Sequence, residues 1–215
     1  MTNLLAADSY SASSTSVQLT RLPTDTTGLE RIILTAQGEL QRLLSIFFAR
    51  PIHVERIYAN TSPRLQPASP EHPITQSRQV HLVCADKTVC IATSTVTITS
   101  PAAERVFLDE KYPIGQTVRK LGQGHRFTLL GVETPTVGQK RELRRVYVLE
   151  TEGFYCEILE VFPDREMFAR GEAWLMETMA EVERDGTGSC ASMTDTLGLG
   201  KPDWLTANKG SEVVN

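Results

Sequence analysis

The sequence predicts an α+β protein, with about six strands in an antiparallel sheet and flanking helices. Three observations lead there. Helical periodicity comes first, in residues 27–51. Strand-like runs joined mostly by short turns follow, in residues 76–98 and 125–162. Further helical patterns are inserted at 100–121 and appended after 163. Hairpin-joined strands with grouped helices build an antiparallel sheet, whereas regular strand–helix alternation would build a parallel one. The chain has 215 residues, 40% of them hydrophobic, enough for one core and too few for two.

Taken in order, residues 1–27 are Ser/Thr-rich and read as a flexible arm, 28–185 as a single domain, and 186–215 as a flexible, Gly-rich tail. In "TGLERIILTAQGELQRLLSIFFARP" the apolar positions Leu29, Ile32, Ile33, Leu40, Leu43, Leu44, Phe47 and Phe48 have helical spacing. Gly38 interrupts it, predicting two consecutive helices that end at Pro51. "PIHVERIYAN" reads as a strand. "TSPRLQPASPEHPIT" holds four prolines and must be a loop, long enough to serve as a lid.

"QSRQVHLVCAD" and "TVCIATSTVTI" form a predicted hairpin joined at Asp86-Lys87. Ser100 is a candidate N-cap with Pro101 at the first helical position. In "LDEKYPIGQTVRKLGQG", Pro113 sets φ for a first turn, Gly115 leaves backbone uncovered, and Gly122 and Gly124 stop the helix. The N–H groups around Ile114 are therefore a seat for an anion. "HRFTLLGVET", "ELRRVYVLET" and "GFYCEILEVF" read as three more strands, the last two joined by a Glu152-Gly153 turn. "PDREMFARGEAWLMETMAEVER" reads as one closing helix with Phe168, Leu175, Met176, Met179 and Val182 on its apolar stripe.

Composition excludes several classes. Net charge is −4 with both signs interspersed, so no basic face advertises nucleic acid or anionic lipid. No apolar run approaches the roughly 20 residues that span a membrane. The first residues lack a basic leader region, and Cys84, Cys90, Cys156 and Cys190 form no CxxC pair; a reduced, cytoplasmic protein is expected. The four histidines have no metal-ligand spacing, and no GxSxG, P-loop or GxGxxG is present, so neither a metal nor an organic cofactor is expected.

Strand alternation singles out two charges. In "SRQVHLVC", Arg78 shares a face with Val80, Leu82 and Cys84. In "FYCEILEVF", Glu160 shares a face with Phe154, Cys156, Ile158 and Phe162. A lone charge among apolar neighbours is costly, so such residues are paired, shifted in pKa or functional. The pattern leaves two readings open: a structural ion pair between Arg78 and Glu160 (or exposed strand ends), or a functional pair. If Glu160 is set in apolar company, its pKa is expected to rise.

The segments "GELQRLLSIFFARPIHVERI", "SRQVHLVCADKTVCIATSTVTI", "YPIGQTVRKLG" and "EGFYCEILEVFP" together resemble the chorismate pyruvate-lyases and their diverged relatives, over roughly residues 30–163. The resemblance implies a six-stranded antiparallel sheet whose ligand is enclosed beneath flaps. It implies that Arg78 holds a carboxylate with the backbone amides of Ile114 and Leu40, Gly115 leaving that turn open, while Glu160 faces a ring oxygen at the far end. The turn before Leu40 departs from the family pattern, with Glu39 and Gln41 where Ser or Thr is usual, which is expected to make that end of the pocket more polar.

The expected activity is elimination of pyruvate from chorismate to give 4-hydroxybenzoate by a cofactor-independent carbon–oxygen lyase. Arg78 and Glu160 are the candidate catalytic residues; Ile114, Leu40 and Gly115 are candidate substrate-binding residues. The expected partner is a small carboxylated ring, with no nucleic acid and no membrane. Two alternatives stand beside it: a diverged tailoring enzyme of secondary metabolism acting on another carboxylated or enol-bearing ring, and a non-catalytic binder of aromatic acids.

Overall fold

The computed structural model of the chain describes residues 9–17, 22–122 and 124–182. Contacts divide the chain into Met1–Met179 and Ala180–Asn215, and the fold belongs to the first unit. The expected tail and Cys190 lie outside the described residues.

The expected arm carries structure. β1 (Ser9–Tyr10) and β2 (Thr15–Ser16) pair as a small hairpin. The end of the arm is held by Arg165, whose Nη1 donates to Asp25 Oδ2 at 2.6 Å and Nη2 to Glu30 Oε2 at 2.9 Å. A buried guanidinium needs such counter-charges, and they fix residues 25–30 against the chain after the last strand. Burial, the largest single influence, opposes ionisation of Glu30, but the Arg165 charge and hydrogen bond and the Thr27 hydrogen bonds together outweigh it and hold the carboxyl below its usual range.

α1 (Gly28–Leu34) opens on a capping box: Thr27 accepts from the Glu30 N–H, and Glu30 accepts from the Thr27 N–H at 2.7 Å. After the Gly38 turn, α2 (Leu40–Phe48) buries Leu40, Leu44 and Phe48, as the periodicity predicts. β3 (His53–Thr61), β4 (Ile74–Cys84) and β5 (Lys87–Ile98) follow. The β4–β5 turn is Ala85–Asp86, one residue earlier than expected. Both residues take left-handed φ (47° and 65°), matching a two-residue hairpin turn to the twist of its strands.

α3 (Pro101–Glu104) is capped by Ser100 as expected, but continues as a π-helical turn, Arg105–Asp109. α4 (Ile114–Leu121), β6 (Arg126–Glu133), β7 (Thr136–Val137), β8 (Lys140–Arg141), β9 (Leu143–Thr151) and β10 (Phe154–Phe162) complete the sheet region. The closing helix is two: α5 (Glu166–Arg170) and α6 (Glu172–Val182), broken at Gly171 with φ 55°. Trp174 and Leu175 are buried and Met176 is 50% exposed, so the expected stripe fails at Met176. The side chains of Met179 and Val182 lie outside the described residues.

The main sheet has six antiparallel strands in the order β3-β4-β5-β10-β9-β6, with flanking helices, an α+β architecture. The chain from β5 crosses over through α3 and α4 to the far edge and returns inward, so β5 and β10 become central neighbours. One face carries two buried clusters. At one end α1, α2, α5 and α6 pack Leu34, Leu44, Phe48, Met167 and Leu175 onto Cys90 and Phe162. At the other, Ala103, Phe107 and Val118 pack onto Val96, Ile98, Phe154 and Cys156. Between them lies a gap on the same face.

Candidate functional site

Residues directly opposite in an antiparallel sheet share a face, so the register lays out the floor of that gap. One row runs Arg78, Ser94, Ile158, Tyr147 across β4, β5, β10 and β9; the next runs Val80, Ala92, Glu160, Arg145. Arg78 and Glu160 are thus two strands and two residues apart, a Cα separation of roughly 12 Å. The gap is a cavity of about 120 Å³, lined among others by Leu40, Gln41, Arg78, Ile114, Gly115, Tyr147 and Glu160. Its volume is of the order of the roughly 150 Å³ space that accommodates benzene in a protein interior. All five residues singled out in the sequence line this one cavity.

The wall is made by two helix starts. α2 begins at Leu40 and α4 at Ile114, and neither has a side-chain cap. The first N–H groups of a helix have no intrahelical acceptor, so both termini offer donors and positive dipole ends. Gly38 and Gly115 bring the two turns into backbone contact. Gly38 has φ 86°, and a Cβ on Gly115 would overlap the Gly38 carbonyl oxygen and lie 3.1 Å from its carbon. Only glycine fits on either side of that contact.

Glu39 and Gln41, which flank Leu40, part company. Glu39 does not line the cavity; it pairs with Arg42 and with Arg119 in the last turn of α4, and so ties the start of α2 to α4 on the outside. Gln41 does line it, with Nε2 donating to the Ile52 carbonyl at 2.9 Å. The expected polarity at that end therefore comes from Gln41 alone.

Arg78 and Glu160 are not an ion pair. Glu160 accepts from Arg145 Nε at 2.6 Å and from the Tyr147 hydroxyl at 2.8 Å. Arg145 is fully buried, and its Nη1 donates to the carbonyls of Ile33, Leu34 and Ala36 at 2.8–3.0 Å. Burial works most strongly against its charge, yet Glu160, with smaller help from Tyr147 and Cys90, outweighs that in sum and raises its pKa. Burial and the Glu160 charge push the Tyr147 hydroxyl well above its usual range, so it remains a donor. Apolar company around Glu160, expected from its own strand, is thus incomplete: the next strand supplies two polar partners.

Arg78, by contrast, has no acidic partner among the described residues. Its guanidinium carbon lies 5.8 Å from the centroid of the Phe107 ring. Burial, then the nearby Arg56 charge, lower its pKa. A half-buried cation flanked by another cation and a ring is set to receive an anion. Arg145 and Tyr147 escaped the sequence reading, although the same alternation in "LRRVYVL" puts Leu143, Arg145, Tyr147 and Leu149 on one face. Among the described residues no group of three His, Cys, Asp or Glu side chains converges as metal ligands would, and Cys84, Cys90 and Cys156 are free and buried. No helix among the described residues is long and apolar enough to cross a membrane.

No family model matches the chain, and no curated protein matches it either. Among solved structures, the extracellular domain of PknH from Mycobacterium tuberculosis is similar over 72% of this chain and 97% of its own, with 9% identity and a TM-score of 0.21. A likeness that low carries no argument about fold or function.

Proposed function

We propose that the protein eliminates pyruvate from chorismate to give 4-hydroxybenzoate, as a cofactor-independent lyase on a chorismate lyase-like fold with the ligand enclosed beneath the Gly38 and Gly115 turns. The observation that carries the reading is the convergence on one ring-sized cavity of an unpaired arginine, two uncapped helix starts and a carboxylate at the opposite end.

In this mechanism the ring carboxylate sits against Arg78 and the Ile114 and Leu40 amides, and Glu160 accepts from the ring hydroxyl. The ether bond between the ring and the enolpyruvyl oxygen breaks, the hydrogen leaves the neighbouring ring carbon, and the enolpyruvate takes up a proton to become pyruvate. Aromatisation supplies the driving force, so the protein's part is to orient the ring and stabilise charge on the departing oxygen. Arg145 and Tyr147 hold Glu160 for its acceptor role.

The test is conversion of chorismate by purified protein, followed by the ultraviolet absorbance of 4-hydroxybenzoate, with Arg78→Ala as the control. Turnover lost in the variant supports the reading; no product from the wild type over hours refutes it. A second reading is favoured by one observation: both Glu160 oxygens already accept hydrogen bonds, which suits holding a hydroxyl better than moving a proton. On that reading the protein binds an aromatic acid without turning it over, and calorimetry would give saturable binding of 4-hydroxybenzoate with no product from chorismate.

A further inference from the structure

Arg78 lines a second cavity on its other side, of about 270 Å³, together with Arg56, Arg64, Lys111, Phe107 and Tyr112. Four cationic side chains converge there. Arg64 is neutralised by Glu104 at 2.6 Å and Asp109 at 2.9 Å. Arg56, Arg78 and Lys111 have no acidic partner among the described residues.

Three irregularities in the backbone build this pocket. Strand β3 bulges between Arg56 and Tyr58: Ala59 pairs with Arg78, but Arg56 pairs with Val80. Without the extra residue, Ile57 would oppose Val80 and Arg56 would point to the other face of the sheet. The bulge alone puts Arg56 beside Arg78, against their mutual repulsion. The helix after Pro101 widens into a π-turn at Arg105–Asp109, which carries Phe107 and Leu108 into the lining. Lys111 takes φ 60°, a left-handed conformation that an L-residue other than Asn or Asp seldom adopts. Irregularities of these kinds are retained where a site requires them, and here all three border one pocket.

We propose that this outer pocket is a second anion subsite, in which Arg56 and Lys111 hold a carboxylate of a ligand whose first carboxylate is on Arg78, so that the protein selects dicarboxylates over monocarboxylates. The assignment of the first carboxylate rests on the function proposed above; on that reading the second is the carboxylate of the enolpyruvyl group, for which the inner cavity offers no cation besides Arg78. The subsite itself rests only on the convergence of unpaired cations.

The experiment uses three probes on the full chain, by calorimetry: benzoate, malonate, and 3-(carboxymethoxy)benzoate. In 50 mM salt the ether dicarboxylate binds roughly ten-fold more tightly than benzoate, and the advantage shrinks as salt rises because Arg56 and Lys111 are exposed. Arg56→Ala/Lys111→Ala removes that advantage and the weak binding of malonate, while benzoate affinity moves by less than about two-fold. Lys111→Glu, a single exposed change, gives the same direction should the double variant fold poorly. Equal affinity for the dicarboxylate and benzoate, or malonate binding untouched by either variant, overturns the subsite. Malonate binding that survives while benzoate fails to bind refutes the inner-cavity reading and leaves the subsite standing.

Discussion

Replacing Arg78 and Arg145 in turn by methionine separates a ligand-binding arginine from a structural one. Arg145 is fully buried and makes one bond to Glu160 and three to backbone carbonyls at the end of α1. Arg145→Met leaves Glu160 buried with only the Tyr147 hydroxyl and strands three carbonyls, a loss of about 3–5 kcal/mol. For a folded unit of this size each kcal/mol moves the melting temperature by about 2–4 °C, so the variant should melt roughly 6–20 °C lower. Arg78 has no acid to leave behind, and its charge is opposed by burial and by Arg56. Arg78→Met keeps the aliphatic stem against Phe107 and removes an unpaired charge, so the melting temperature should hold or rise by the equivalent of about 1 kcal/mol. Thermal melts followed by circular dichroism, with benzoate titrations alongside, give both readouts. The stable Arg78→Met protein should have lost benzoate binding. If Arg78→Met melts as low as Arg145→Met, Arg78 is part of the scaffold and the case for an anion seat collapses.

Gly115→Ala should push the Gly38 and Gly115 turns apart by roughly 1 Å, because the clash is between backbones that cannot rotate away; a stability loss of about 1–3 kcal/mol and markedly weaker benzoate binding are expected, whereas Gly28→Ala, whose nearest neighbour would be 3.8 Å away, should do neither. Glu160→Gln should preserve the Tyr147 hydrogen bond and benzoate binding but slow chorismate turnover; equal rates in a coupled pyruvate assay would remove Glu160 from the mechanism. Stability against acid follows from Glu30. Its folded pKa lies below the ordinary 4.5, so its contribution is present above pH 4.5 and disappears as pH falls through the folded value. Urea unfolding at pH 3–6 should therefore show a shallower acid loss in Glu30→Gln than in the wild type, and an identical slope would rule Glu30 out as the sensor.

The parts of the fold governed by local chemistry were legible. Pro101 and Ser100 start a helix, Gly38 separates two, and alternation along β4 and β10 found Arg78 and Glu160, two of the three charged residues of the floor. The parts that were missed depend on a partner strand or on a break in period. Adjacent Arg144 and Arg145 look like one solvated pair, yet Arg144 reaches Glu142 at 2.8 Å while Arg145 is sealed under α1. No proline or glycine marks the bulge at Ile57, so strict alternation assigns Arg56 to the wrong face. The π-turn keeps the apolar residues Val106 and Phe107 buried, and nothing in their spacing distinguishes it from a helix. Two further misses had a signal. Gly171 sits inside "FARGEAW" and breaks the last helix, and Gly138, at φ 62°, turns the small β7–β8 hairpin.

The arginines show why the assignment of Glu160 matters for Arg78. Arg165 is balanced by Glu30 and Asp25, and Arg145 by Glu160 and three carbonyls; in both, the acids outweigh burial and raise the pKa. Arg78 moves the other way, because burial and then Arg56 act on it with no carboxylate to oppose them, and the Cys156 thiol offsets them only in part. Had Glu160 been its partner, the inner cavity would hold a neutral pair and would have little reason to admit an anion. With Glu160 committed to Arg145 and Tyr147, the floor instead has a free positive end and an occupied negative end about 12 Å apart. A ligand entering with a carboxylate first gains most at Arg78, where it supplies the counter-charge that the chain itself withholds. That asymmetry orients a ring in the cavity before any chemistry begins.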